Sequence, residues 1–194
     1  MMNPLLAKVV VLAASLALVV IPARVHRGTA GGAVIESRKG PRERVLLILM
    51  SIGFVGPLLW VASPLLRFAD RVLLPAPFAM GVVLIVAGLA LLQRSHAALG
   101  KNWSITLELR ENHQLVTRGL HRHVRHPMYS ALLLYAVGLA LALPNWLAGL
   151  SYLAAVIALV GLRLAPEEQM MLDRFGEEYE AYMQRTKRLI PGVW

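Results

Sequence analysis

A stretch of 22 residues without one charged side chain, 45–66, constrains this chain more than any other feature. At 1.5 Å per residue, a helix over it is about 33 Å long, enough to cross roughly 30 Å of hydrocarbon. Gly53, Gly56, Pro57 and Pro64 lie inside it. They are poor choices for a soluble helix, but membrane helices tolerate them, and small residues let neighbouring helices approach closely. Four more apolar runs accompany it, at 5–22 (interrupted by Lys8), 73–92, 128–143 and 146–164. The first lacks a small-residue cleavage site before Arg24, and basic residues follow it rather than lead it, so it is expected to be a retained membrane helix, not a signal peptide. The predicted fold class is an all-α membrane protein with about five transmembrane helices. The composition, 57% hydrophobic and only 16% charged with a mean hydropathy of +0.60, agrees. Soluble domains run nearer half apolar and a quarter charged, so much of this surface is expected to face lipid.

The charges are distributed unequally. Residues 23–44 carry six Lys/Arg, residues 93–127 another six, and the tail from Arg163 five, which is 17 of the 20 basic residues. Only Lys8, Arg67 and Arg71 lie elsewhere. With five spans those three segments share one face, which the positive-inside rule makes cytoplasmic, leaving the N-terminus outside. All six histidines and ten of the eleven acidic residues join that face. The net charge of +9 is thereby explained without nucleic acid as a partner. The chain has no cysteine, which excludes disulfides, thiolate metal sites and a thiol nucleophile.

Several local features are expected within this plan. Only Pro144-Asn145 separates the last two runs, so they form a tight antiparallel hairpin. Trp60, Trp103, Trp146 and Trp194 lie near run ends or in loops, as some interfacial anchors do. Trp103, Ile105, Leu107 and Leu109 alternate with polar residues, and Glu111-Asn112 reads as a turn before residues 114–117, so a short hairpin is expected. After Pro166, the residues Leu172, Phe175, Tyr179 and Tyr182 recur at helical spacing, giving an amphipathic helix at the interface or against the bundle. Residues 1–92 are expected to form three membrane helices with their loops, and residues 93–194 to hold the chemistry.

The densest polar cluster is Gly119-Leu120-His121-Arg122-His123-Val124-Arg125-His126-Pro127-Met128-Tyr129. One reading is a basic flank of a membrane helix. A metal site at His121, His123 and His126 is a second reading, which the absence of a nearby carboxylate and the presence of three flanking arginines oppose. The third uses Pro127. Proline suits the first position of a helix, so His126 would cap the fourth span, and the free N–H groups beyond it would suit an anionic ligand. Arg163 and Glu167 are four apart at the end of the last span. An uninterrupted helix would put them on one face, but Pro166 between them predicts a kink or a restart. A snorkelling arginine is the bland alternative, whereas ionisable groups at membrane depth default to a functional hypothesis.

The run Arg125-His126-Pro127-Met128-Tyr129, a following helical hairpin, Arg163-x-x-x-Glu167-Glu168 and then Phe175-Gly176-x-x-Tyr179-x-x-Tyr182 resemble the isoprenylcysteine carboxyl methyltransferase family. Gly100-Lys101-Asn102-Trp103-Ser104 and His113-Gln114-Leu115-Val116 add to the likeness, which covers residues 93–194 and touches the first three spans only in layout. The resemblance implies an integral membrane enzyme that uses S-adenosylmethionine (SAM), releases S-adenosylhomocysteine (SAH) and needs no metal. By position, it implies that His113, Gln114, Leu115 and Val116, with His126, Pro127, Met128 and Tyr129, wrap the cofactor. It implies that Glu167 binds the cofactor and takes part in catalysis, and that Arg163 serves substrate and catalysis. It also puts a cofactor contact at His121, where relatives usually carry a tyrosine. The implied acceptor is the carboxylate of a lipophilic molecule drawn from the bilayer, a prenylated cysteine or similar. A phospholipid or small lipophilic amine is the alternative acceptor, and a non-enzymatic transporter subunit or assembly factor is the alternative of a different class.

Overall fold

The computed structural model describes residues 3–25, 34–37, 40–103, 108–110 and 114–193. Six helices account for most of it: α1 (Pro4–Val25), α2 (Pro41–Ala62), α3 (Pro75–Leu99), α4 (Pro127–Ala142), α5 (Trp146–Phe175) and α6 (Glu177–Arg185). The starts of α2, α3 and α4 each carry a proline at the first helical position, where the missing N–H costs nothing because it would have no partner inside the helix. Four helices, α1, α2, α3 and α5, are long and apolar enough to cross a membrane, and α4 is a shorter apolar helix. The chain is an all-α membrane bundle, as its apolar runs predict.

The apolar residues point both ways. Val9, Leu16, Ile48, Ile52, Val83 and Val86 are exposed on the outer faces of α1, α2 and α3, a pattern that water would penalise and lipid favours. Inside, α2 packs on α5, α5 on α4, and α4 on α3, while α1 touches both α3 and α2. Small residues make the closest of these contacts. A methyl group on Gly81 of α3 would sit 2.6 Å from the Gly138 carbonyl oxygen of α4, and one on Gly53 of α2 would sit 2.6 Å from the Ala155 Cβ of α5. With no hydrophobic force between helices in lipid, such backbone approach is a main source of packing energy.

The α4–α5 hairpin sets the height of everything else. Asn145 caps α5 by accepting from the Ala148 amide at 2.8 Å, and its side-chain amide donates to the Leu66 carbonyl and to Asp70 Oδ1. Trp60 Nε1 donates to the same Asp70 oxygen, so this tryptophan is a buried lock rather than a lipid anchor. From that turn, the 16 residues of α4 rise about 24 Å, whereas the 30 of α5 rise about 45 Å. The first turn of α4 therefore comes level with Arg163, and the rest of α5 projects past the apolar span.

Two local expectations are corrected. Helix α5 runs unbroken through Pro166 to Phe175 and ends at Gly176, whose φ of +52° lets the backbone turn before α6. The expected single amphipathic helix after Pro166 is thus two pieces, with Leu172 and Phe175 on α5 and Tyr179 and Tyr182 on α6. The turn of the expected hairpin, Glu111-Asn112, lies outside the described residues, and the described part of its first arm takes a longer-range partner. Strand β2 (Glu108–Arg110) pairs antiparallel with β1 (Val34–Ser37), from the loop between α1 and α2. Residues 104–107 and 111–113, the rest of that hairpin, lie outside the described residues, and residues 114–117 are irregular.

Candidate functional site

Where α3 ends and α5 emerges from the span, residues between 114 and 126 line, together with both helices, an open cavity of about 910 Å³, mouth included. Its wall brings together Gln114, Leu115 and Val116; His121; His126, Pro127, Met128 and Tyr129; and Arg163 and Glu167. These are the residues singled out in the sequence, save His113, which lies outside the described residues. Leu99, Trp103, Met170, Met171, Tyr179 and Tyr182 add apolar and aromatic surface, and Asn102, Glu108 and Arg125 add polar groups.

Each wall segment is held by specific bonds. The Asn102 side chain clasps Gln114 at two points: its amide donates to the Gln114 carbonyl, and its oxygen accepts from the Gln114 N–H, both at 3.2 Å. Residues Gly119–Arg122 form one 3-10 turn, pinned where the Tyr182 hydroxyl donates to the His121 carbonyl at 2.5 Å. The tail after α6 then runs alongside. The backbone N–H groups of Arg125 and His126 donate to the carbonyls of Lys187 and Arg188, and the Ser130 hydroxyl donates to that of Leu189.

Glu168 organises the underside of the site. Arg125 Nε and Nη2 both reach its Oε1 at 2.8 Å, Arg188 reaches Oε2 at 3.0 and 2.9 Å, and His126 Nε2 lies 3.4 Å from Oε1. Arg125 also donates to the carbonyls of Met183 and Thr186. Burial alone would raise the Glu168 pKa, but the hydrogen bonds from His126, Arg188 and Arg125 outweigh it and hold the carboxyl down at about 2. Its side chain is 4% exposed, whereas that of Glu167 is 31% exposed, so of the two neighbouring carboxylates only Glu167 is open to a ligand.

Glu167 and Arg163 take different partners. The Tyr129 hydroxyl donates to Glu167 Oε2 at 2.5 Å, and His126 Nδ1 lies 3.8 Å from Oε1. Arg163 is not steadied by Glu167, as its position four residues away suggested. Its Nη2 instead lies 3.3 Å from Oε1 of Glu43, a buried residue in the first turn of α2. Sequence reasoning missed both Glu43 and the role of Glu168. The available signal for Glu43 was a lone acid between Arg42 and Arg44, immediately before the uncharged run 45–66. His121 is buried in the cavity wall, and burial, followed by the charge of His126, lowers its pKa to about 4. Its Nδ1 has no hydrogen-bond partner among the described residues. Of the three clustered histidines, His123 stands apart, accepting from Arg122 Nε on the exposed surface.

Part of the chain is similar to a known family. Residues 80–173 match the model of the "Isoprenylcysteine carboxyl methyltransferase (ICMT) family". The match covers just under half of the chain. It takes in α4, most of α3 and nearly all of α5, and so the cavity wall from Leu99 to Met171. The chain is 29% identical over 116 residues to a probable protein-S-isoprenylcysteine O-methyltransferase of Oryza sativa subsp. indica, covering 59% of this chain and 61% of the relative. It is 30% identical over 115 residues to protein-S-isoprenylcysteine O-methyltransferase B of Arabidopsis thaliana, covering 58% of each. The chain thus spans about three-fifths of the length of these curated relatives. Among solved structures, the eukaryotic intramembrane Ras methyltransferase ICMT aligns with a TM-score of 0.54 over 82% of this chain and 55% of that one. At 22% identity, that likeness concerns the fold.

Proposed function

We propose that this protein is a SAM-dependent methyltransferase that esterifies the carboxylate of a lipophilic, membrane-borne acceptor such as a prenylated cysteine. The observation that carries the proposal is one cavity at the edge of the apolar span, with the Arg163 guanidinium and the Glu167 carboxylate both in its wall. The residues present suit SAM. Glu167 is a partly exposed carboxylate for an ammonium group, His121 Nδ1 is a buried polar atom in want of a partner, and Trp103, Met170 and Met171 offer apolar surface to a flat ring. Residues 114–116 and 126–129, with His113 by position, would hold it. When bound, SAM supplies an electrophilic methyl group on a sulfonium sulfur that leaves as a neutral thioether.

The chain's own contribution is placement and dryness. A carboxylate acceptor is already ionised at neutral pH, so no side chain need remove a proton. It is a poor nucleophile while hydrated, and a site walled by Met128, Met170 and Tyr129 strips that water away. Arg163 fixes the acceptor oxygen by charge and by its planar pair of N–H donors. The sequence segments 23–44, 93–127 and 163–194 carry 17 of the 20 basic residues, and by the positive-inside rule we assign their face and the cavity mouth to the cytoplasm and the acceptor's tail to the adjoining leaflet.

The test is transfer of a radiolabelled methyl group from SAM to a panel of lipophilic acids and amines by the purified protein in lipid vesicles. Transfer to prenylated cysteine acids is expected. Transfer confined to phospholipid or other amines would replace the acceptor, and no transfer with no SAH binding would favour a non-enzymatic role.

A further inference from the structure

The pair formed by Glu43 and Arg163 is incomplete on both sides. Arg163 is 12% exposed and Glu43 6% exposed, and they approach at 3.3 Å through one nitrogen. Yet Glu43 Oε1 makes no hydrogen bond, and Arg163 Nε has no partner among the described residues. A guanidinium that meets a carboxylate well presents two parallel N–H donors, and a half-made buried pair recovers little of its desolvation cost. Glu43 also lies outside residues 80–173, so the family match assigns it no role.

We infer that Glu43 is an internal stand-in for the acceptor: its carboxylate occupies Arg163 in the acceptor-free protein and is displaced when the acceptor's carboxylate arrives. The inference rests on the reading of Arg163 as the acceptor's clamp. Two carboxylates on one guanidinium in a low-dielectric setting repel each other, so acceptor and Glu43 compete for the same charge. Methylation removes the acceptor's charge. The neutral ester no longer competes, and Glu43 recaptures Arg163 as the product leaves. Before substrate arrives, the same contact spares the bundle an unpaired buried cation. Glu43 is therefore a positioning residue, setting acceptor affinity through Arg163 rather than touching the reacting atoms.

The test compares wild type with Glu43→Gln, full length and in detergent, using an N-acylated S-prenylcysteine acid and its carboxamide as probes. Direct binding and turnover are both measured. Glu43→Gln keeps the shape and removes the competing charge. The expected result is roughly ten-fold tighter binding of the acid and a matching fall in its KM, the equivalent of about 1.4 kcal/mol. Carboxamide and SAH affinities should stay unchanged, and kcat should hold within about two-fold. Glu43→Asp, which keeps the charge but draws it back by one methylene, is expected to move acid binding the same way by less, and serves if the glutamine variant does not fold. Unchanged or weaker acid binding in the variants overturns the inference. Wild type that binds the acid but never methylates it sinks the methyl-transfer reading instead, while a selective gain for the acid in Glu43→Gln still upholds the competition.

Discussion

The hydroxyl of Tyr129 donates to Glu167 Oε2 at 2.5 Å, tying the first turn of α4 to the stretch of α5 that leaves the membrane span. His126, the residue that precedes α4, stacks on the Tyr129 ring with centroids 5.5 Å apart and reaches toward both Glu167 and Glu168. Two segments almost forty residues apart in sequence thus share one polar seam, and the cavity opens along it.

Cofactor affinity is the first consequence. Glu167→Ala removes an accessible carboxylate, and His126→Ala removes the ring that spans the two acids. Each is expected to weaken SAH binding by about ten-fold or more, the scale of one hydrogen bond to a charged group. Helix content in detergent should be retained. Isothermal titration with SAH checks both, and undiminished affinity in both variants would remove Glu167 and His126 from the binding site.

Arg163→Lys separates a clamp from an anchor. Both side chains snorkel and both are cationic, so a mere interfacial anchor survives the swap. A clamp loses its planar two-donor fork. The expected result is normal expression and SAH affinity with a roughly ten- to hundred-fold loss of methyl transfer, from about 1.5–3 kcal/mol of lost interaction. Near-normal turnover would argue for the anchor.

Glu168 makes the bundle sensitive to acid. Its pKa falls from 4.5 to about 2 on folding, so its contribution to stability is complete above about pH 4.5 and is lost as pH falls toward 2. A shift of that size corresponds to roughly 3 kcal/mol. Glu168→Gln should lower the thermal midpoint at pH 7, and the gap from wild type should narrow steadily below pH 4.5. A gap that stays constant down to pH 3 would show that the carboxylate's charge is not what stabilises the fold.

Topology follows from the charge count. A reporter joined after the last residue should behave as cytoplasmic, and a tag before Met1 should be reached by a membrane-impermeant reagent from outside. Both ends on one side would rule out five spans.

The five apolar helices were legible because a run of uncharged residues has one economical solution in lipid, and the start of α4 was legible because Pro127 punctuates it. Pro166 misled. In isolation a proline breaks the i to i−4 bond and favours a break, but α5 here packs against both α2 and α4 and stays continuous. The clustering of Arg163, Glu167 and residues 114–129 on one wall was foreshadowed by their motif order. The pairing of Glu43 with Arg163 was not, because nothing periodic links positions 120 residues apart, and only packing of α2 on α5 brings them together. The partnership of β1 with β2 was hidden for the same reason: its two strands come from different loops.

The inequality of α4 and α5 has a consequence for the bilayer itself. A helix of 16 residues, about 24 Å long, cannot match a 30 Å hydrocarbon slab, and lipids beside it thin or tilt to meet its polar end. Such thinning would draw the headgroup plane down toward the start of α4. On the proposed function, an acceptor whose charged end sits at that plane would reach the guanidinium without its carboxylate entering oil. Membrane thickness would then be a rate parameter, and reconstitution into shorter-chain lipids should favour turnover over longer-chain ones at equal protein and substrate density.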